Sequence, residues 1–195
     1  MNISEQYIKF LSDKRTATFS VMVSAIIGAV LASIDNRLSS GMTNMMSVQL
    51  TFSADVFRSL ISPLSENAVS LLVRYLRLDI VFSFCYAVTL SSITAAMWGH
   101  LNELLHKNGK TPAKAAYTVF RLGMTLPYLA AIANIAENVM LYAAVRRDLA
   151  VPAIITPASF FAASKYMLLA LSISAIAYML VSRRKIIHGK PLDIS

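Results

Sequence analysis

Charge is scarce in this sequence: Asp, Glu, Lys and Arg make up 14% of 195 residues, where a soluble domain has about 25%. Cysteine is scarcer still. The one present, Cys85, excludes an internal disulfide framework and reads as a small buried apolar side chain. Six glycines leave no phosphate-cradling Gly-rich loop, and there is no GxSxG elbow and no Cys/His cluster with zinc spacing. The three histidines, His100, His106 and His188, lie at or beyond the ends of apolar runs, so no pair of them can clamp a haem within the bundle. These absences argue against a nucleotide site, a zinc site, a haem held by two histidines and a GxSxG nucleophile elbow; no metal and no cofactor is expected. No internal repeat and no Gly/Ser-rich linker breaks the chain, so residues 1–195 read as one domain.

What is abundant is apolar: 56% of the residues are hydrophobic and the mean hydropathy is +0.60. A hydrocarbon core roughly 30 Å thick needs about 20 mostly apolar residues per helix. Four runs meet that need, at about 17–34, 80–98, 122–144 and 154–181. The fold expected is therefore all-α, an integral membrane four-helix bundle. Lys14 and Arg15 before the first run, with Val30-Leu31-Ala32 at its end, also resemble a signal peptide. The run is longer than a usual signal core, so it is read as a retained span.

A net charge of +8 raises the question of nucleic acid, but the basic residues cluster at span ends and no nucleic-acid partner is expected. Lys9, Lys14, Arg15, Lys107, Lys110, Lys114, Arg121, Arg183, Arg184, Lys185 and Lys190 fall on one side. Only Arg37, Arg58, Arg74, Arg77, Arg146 and Arg147 fall on the other. The positive-inside rule then makes both termini cytoplasmic, in keeping with an even number of spans.

The first connection, Asp35 to Arg77, is too long for a simple hairpin loop. Val48, Leu50 and Phe52 alternate with polar residues, a weak strand signal. Ser53 is placed to cap a helix from Ala54, and Ser62-Pro63 to end it and start another with Glu66 in its first turn. Apolar residues then recur at helical spacing through Leu76. Residues 47–77 are thus expected to form an amphipathic, extracytoplasmic cap before the second span. The connection 99–121 reads as a basic solvated loop turning at Asn108-Gly109, with a helix starting near Thr111-Pro112.

Within the third run, LAAIANIAENVMLYAA places Asn134, Glu137, Asn138 and Leu141 on one helical face. An unpaired charge at bilayer depth costs at least ~2.5–3.5 kcal/mol, so the stripe should face inward with Lys165 of the fourth run as partner, unless Lys165 snorkels outward. Asp79, Ser83 and Tyr86 share a face of the second run at the same outer level. Two readings follow. One is a buried network that fixes helix register; the other is an outward-facing pocket for a small amphipathic or lipid-like ligand, bound by Asp79, Tyr86, Asn134, Glu137, Asn138 and Lys165. A cavity of roughly 300 Å³ reaching Glu137 would separate them. Ser24, Gly28 and Ala32 in the first run, and Ala87, Ser91, Ala95 and Gly99 in the second, recur every fourth position and suit close helix packing.

The segments SVQLTFSADVFRSLI, YLRLDIVFSFCYAVTL and YLAAIANIAENVML resemble a loosely defined group of small bacterial four-span membrane proteins. That group shows a QL-amphipathic segment, a Leu-Asp-x-x-Phe-x-x-x-Tyr start to the second span and an Asp/Asn-x-x-Glu-Asn element in the third. Asp79, Phe82, Tyr86, Glu137 and Asn138 match, and Asn134 stands where the group has aspartate. The resemblance spans Ser47 to Leu141 and implies a multi-pass protein of the bacterial inner membrane, with no particular reaction. The function expected is a partner- or lipid-binding accessory or assembly subunit of a membrane complex, its partners being membrane lipid and another membrane protein or itself. The alternative is a transporter or lipid-modifying enzyme centred on Glu137, with pigment or quinone binding at His100 ranked last.

Overall fold

The computed structural model describes residues 3–40, 44–109, 111–112, 114–146 and 151–187. Residues 41–43, the charges of Lys110, Arg147 and Lys190, and His188 lie outside the described residues. Among the described residues seven helices run in chain order: α1 Ile3–Ser12, α2 Lys14–Ser39, α3 Met45–Gln49, α4 Ala54–Ile61, α5 Glu66–Lys107, α6 Lys114–Arg146 and α7 Pro152–Ile187. There is no strand among the described residues. Four of the helices, α2, α5, α6 and α7, are long and apolar enough to cross a membrane. The protein is an all-α multi-pass bundle.

The bundle is built on a repeat averaging 3.5 residues. On α6, Ala116, Phe120, Gly123, Pro127, Ala130, Asn134, Glu137, Leu141 and Ala144 are all buried, in alternating steps of four and three. Leu72, Leu76, Asp79, Ser83 and Tyr86 follow the same steps on α5, and Ile155, Ala158, Ala162 and Lys165 on α7. Such a period is the pattern of shallow left-handed helix packing. Helices α5, α6 and α7 pack mutually, whereas α2 packs along α5 and hardly touches α7. This leaves a lateral cleft between α2 and α7.

Pro127 sits in the middle of α6 and has no N–H for the carbonyl of Gly123, one turn earlier. Thr94 of α5 supplies the missing donor: its Oγ1 donates to Gly123 O at 3.3 Å, and Ser91 Oγ to Met124 O at 3.2 Å. The close approach depends on glycine, since a Cβ at Gly123 would lie 2.9 Å from Thr94 Cγ2. Ala87, Ser91 and Ala95 are buried along this contact. At Gly99, by contrast, a Cβ would meet nothing within 4 Å, so Gly99 takes no part in close packing and the stripe ends at Ala95. On α2, Ser24 Oγ meets Thr89 Oγ1 at 2.9 Å.

Residues 44–64 fold over one end of the bundle. The weak strand signal at Val48, Leu50 and Phe52 produces no strand: Met45–Gln49 form the short helix α3, capped by Asn44, whose Oδ1 accepts from Ser47 N at 2.8 Å. Its alternating pattern was misleading because Val48 and Phe52 face different partners. Val48 is buried in the cap, while Phe52 takes a left-handed backbone (φ 52°). That strained residue is held at both polar atoms, as its N–H donates to Ser159 Oγ at 3.1 Å and its carbonyl accepts from Thr156 Oγ1 at 3.3 Å. Ser53 caps α4 and Ser65 caps α5, with Glu66 in the first turn. Met45, Val48, Ala54 and Phe57 pack with Leu72, Leu76, Leu141, Ala144, Ile155 and Ala158 in one apolar cluster. α5 then runs unbroken for 42 residues, about 63 Å, so the second cap helix and the second span are one element. At its far end Gly109 (φ 65°) supplies the left-handed turn.

The N-terminal helix α1 had no expectation attached to it. It buries Leu11 and packs on α5 and α2, and the hydroxyls of Tyr7 and Tyr128 hydrogen-bond. Burial and that bond hold the Tyr7 phenol above its ordinary pKa.

Candidate functional site

Asp79, Asn134, Glu137, Asn138 and Lys165 meet in one buried network directly beneath the cap. Their positions follow from the helical repeat: Asn134 and Glu137 occupy consecutive inward positions of α6, and Asp79 and Lys165 inward positions of α5 and α7. Lys165 Nζ lies 2.7 Å from Glu137 Oε2 and donates to Asn134 Oδ1 at 2.8 Å. Asn134 Nδ2 donates to the backbone carbonyl of Asp79 at 3.1 Å, and Asn138 Nδ2 to Asp79 Oδ2 at 2.9 Å. Lys165 is therefore turned inward rather than snorkelling, at 5% exposure. The Lys165–Glu137 contact is a charge contact without the alignment of a good hydrogen bond.

The network is not saturated. Glu137 Oε1, Asn138 Oδ1 and the Tyr86 hydroxyl are buried with no hydrogen-bond partner among the described residues. Each such group costs about 1–3 kcal/mol relative to a satisfied one. A structure that served only to fix helix register gains by closing every acceptor; this one keeps three open.

A cavity of about 310 Å³ opens beside the network, in the cleft between α2 and α7. Asp79, Tyr86, Asn134 and Lys165 line it; Asp35 and Gly28 of α2, Gln49 of α3, Tyr75 and Phe82 of α5, and Tyr166 of α7 complete the polar and aromatic wall. Glu137 and Asn138 do not line it. They stand behind, fully buried, where Glu137 holds the Lys165 ammonium and Asn138 holds the Asp79 carboxylate. The expected route to Glu137 thus ends at Lys165 and Asn134, and the cavity presents Asp79 and Tyr86 directly.

The two ends of the cavity differ in chemistry. Towards the cap are Asp35, whose Oδ1 accepts from Met45 N at 2.9 Å, and Gln49, whose Oε1 accepts from the Tyr166 hydroxyl at 2.8 Å. Away from the cap the wall is Gly28, Leu31, Phe82 and Leu169. Beneath it Tyr86, Ala87, Ala130 and Ala131 pack with Leu90, Tyr128, Leu168 and Leu169 into a second apolar cluster. The polar network therefore lies between two apolar layers, one formed with the cap and one below.

Sequence reasoning missed Asp35, Gln49, Tyr75 and Tyr166. A signal existed for some of them: Gly28, Ala32 and Asp35 share one face of α2 at spacing i, i+4, i+7, and Tyr75, Asp79, Phe82 and Tyr86 share one face of α5. Gly28 and Ala32, expected to pack helices, line the cavity. At Gly28 a Cβ would meet only Phe82 at 3.5 Å, an ordinary contact. Comparison with protein-family models, with curated proteins and with solved structures finds no match.

Proposed function

We propose that this protein is a membrane-embedded binding protein that takes an amphiphile, a lipid or lipid-like molecule, into the lateral cleft between α2 and α7. The observation that carries this reading is the cavity of about 310 Å³ with a polar end under the cap and an apolar end below it. That volume falls at the lower end of small-molecule pockets, about 300–1,000 Å³. A headgroup would meet Asp79, Tyr86 and Lys165 while its chain leaves along Leu31 and Leu169 into the bilayer. Positive charges gathered at the α1, α5–α6 and C-terminal ends support cytoplasmic termini and an extracytoplasmic cap in a bacterial inner membrane. On that orientation the ligand comes from the outer leaflet.

Binding fits better than transport or lipid modification by Glu137. The apolar layer beneath the cavity interrupts a polar route across the bundle, and Glu137 does not reach the cavity wall. Holding a lipid is also a role suited to an accessory or assembly subunit of a membrane complex.

Native mass spectrometry of the protein extracted in mild detergent tests the proposal. One amphiphile retained per chain is expected, and a chain that carries none under conditions preserving its fold contradicts it. Stoichiometric co-purification of another membrane protein would add the subunit role.

A further inference from the structure

The reading above leaves the headgroup unspecified, and the wall of the cavity bears on it. Three charged side chains line the cavity: Asp35, Asp79 and Lys165. The positive one is already neutralised from behind, with Lys165 Nζ 2.7 Å from Glu137 Oε2. Two carboxylates thus face the space, and among the described residues no further cation lines it to balance them. Each accepts at two oxygens, and donors among the described residues account for one on each, Met45 N on Asp35 and Asn138 Nδ2 on Asp79. A buried acid pair of this kind is not by itself a site. The second observation is Tyr86, which lines the same cavity, is nine-tenths buried and has a hydroxyl with no partner. The aromatic wall adds a third: Tyr75, Phe82 and Tyr86 border the space, with Phe82 and Tyr86 edge to face at 5.5 Å between centroids, while the Tyr166 ring already carries the Lys165 ammonium 4.7 Å from its centroid. Carboxylates together with aromatic faces attract an organic cation, the first through charge-assisted hydrogen bonds and the second through the ring quadrupole.

We infer that the cavity selects an organic ammonium group, held between the Asp35 and Asp79 carboxylates against the aromatic wall. The inference rests on the amphiphile reading only for the source of the ammonium, because a lipid headgroup and a water-soluble amine share this chemistry. Phosphate-only headgroups are disfavoured by the same two carboxylates.

The test uses the full chain in nanodiscs of phosphatidylglycerol alone or with an equal share of phosphatidylethanolamine, followed by native mass spectrometry of retained lipid. Soluble ethanolamine and tetramethylammonium are titrated separately against the phosphatidylglycerol sample by calorimetry. Phosphatidylethanolamine is expected to be retained over phosphatidylglycerol by about tenfold, as one charge-assisted contact warrants. Asp79→Asn and, independently, Asp35→Asn should each remove most of that preference; the second variant keeps the test decisive if the first does not fold. Saturable binding of the soluble amines, with no lipid preference, upholds ammonium recognition and overturns the amphiphile reading. Equal retention of both lipids, unchanged in both variants and with no saturable binding of the soluble amines, overturns ammonium recognition and leaves the amphiphile reading standing.

Discussion

The half of the bundle under the cap and the half towards the termini differ in their polar side chains: ionisable groups and amides gather under the cap, and buried hydroxyls prevail towards the termini, where Ser92 Oγ has no hydrogen-bond partner among the described residues. Towards the termini the hydroxyls of Ser91, Thr94 and Ser172 are buried, and each donates to a backbone carbonyl, on α6 for the first two and within α7 for the third. Trp98 stacks on Phe120 at 4.7 Å between centroids. Under the cap, acids, amides and an amine bond to one another across helices and leave open acceptors beside a cavity. A short hydroxyl can satisfy itself on its own or a neighbouring helix at little cost, so it marks packing. Ionisable groups at this depth are expensive and are retained where they serve something besides packing. Polar residues in a membrane bundle should therefore be sorted by what they bond to, not merely counted.

The comparison can be broken most severely at Lys165. Lys165→Met leaves Glu137 buried without its cation and should destabilise the protein by about 3–5 kcal/mol, read as a fall in thermal unfolding temperature in mild detergent. Adding Glu137→Gln to that variant should recover most of the loss, because the stranded charge is then gone. In the other half the largest effect is steric. Gly123→Val drives a side chain into Thr94 and should cost about 1–3 kcal/mol, whereas Gly99→Ala, with open space around it, should stay within about 0.5 kcal/mol. Smaller again is Thr94→Val, which removes the donor to the Gly123 carbonyl at nearly constant shape, for a loss of about 1 kcal/mol. The smallest belongs to the cap surface: the Arg58–Asp55 pair is exposed, and Arg58→Ala should change stability by less than about 0.5 kcal/mol.

Much of this arrangement was legible from the chain alone, and the reasons are local. Span length and apolarity reveal α2, α5, α6 and α7, because the bilayer imposes a minimum run. Ser53 announces α4, and Glu66 sits in the first turn of α5 as its charge suits. The inward stripe of Asn134, Glu137 and Asn138 follows from helical geometry, and so does its pairing with Lys165, since no other cation lies at that depth. What escaped is what depends on distant chain segments. Phe52 is held by Ser159, 107 residues away, so its left-handed backbone is dictated by α7 and not by its neighbours. Asp35 reads as the first residue of a connection, yet α2 continues past it to Ser39 and carries it to the cavity wall. The cleft itself arises because α2 packs on α5 and not on α7, a choice that apolar periodicity along α2 does not encode.

We propose that an amphiphile occupies the space between α2 and α7. Ala32 lines that space and is itself exposed, so Ala32→Trp fills the cleft without replacing any member of the polar network. Native mass spectrometry of wild type and Ala32→Trp, at matched thermal stability, should show one retained amphiphile per chain in the first and none in the second. Retention of the same molecule by both proteins would contradict the account.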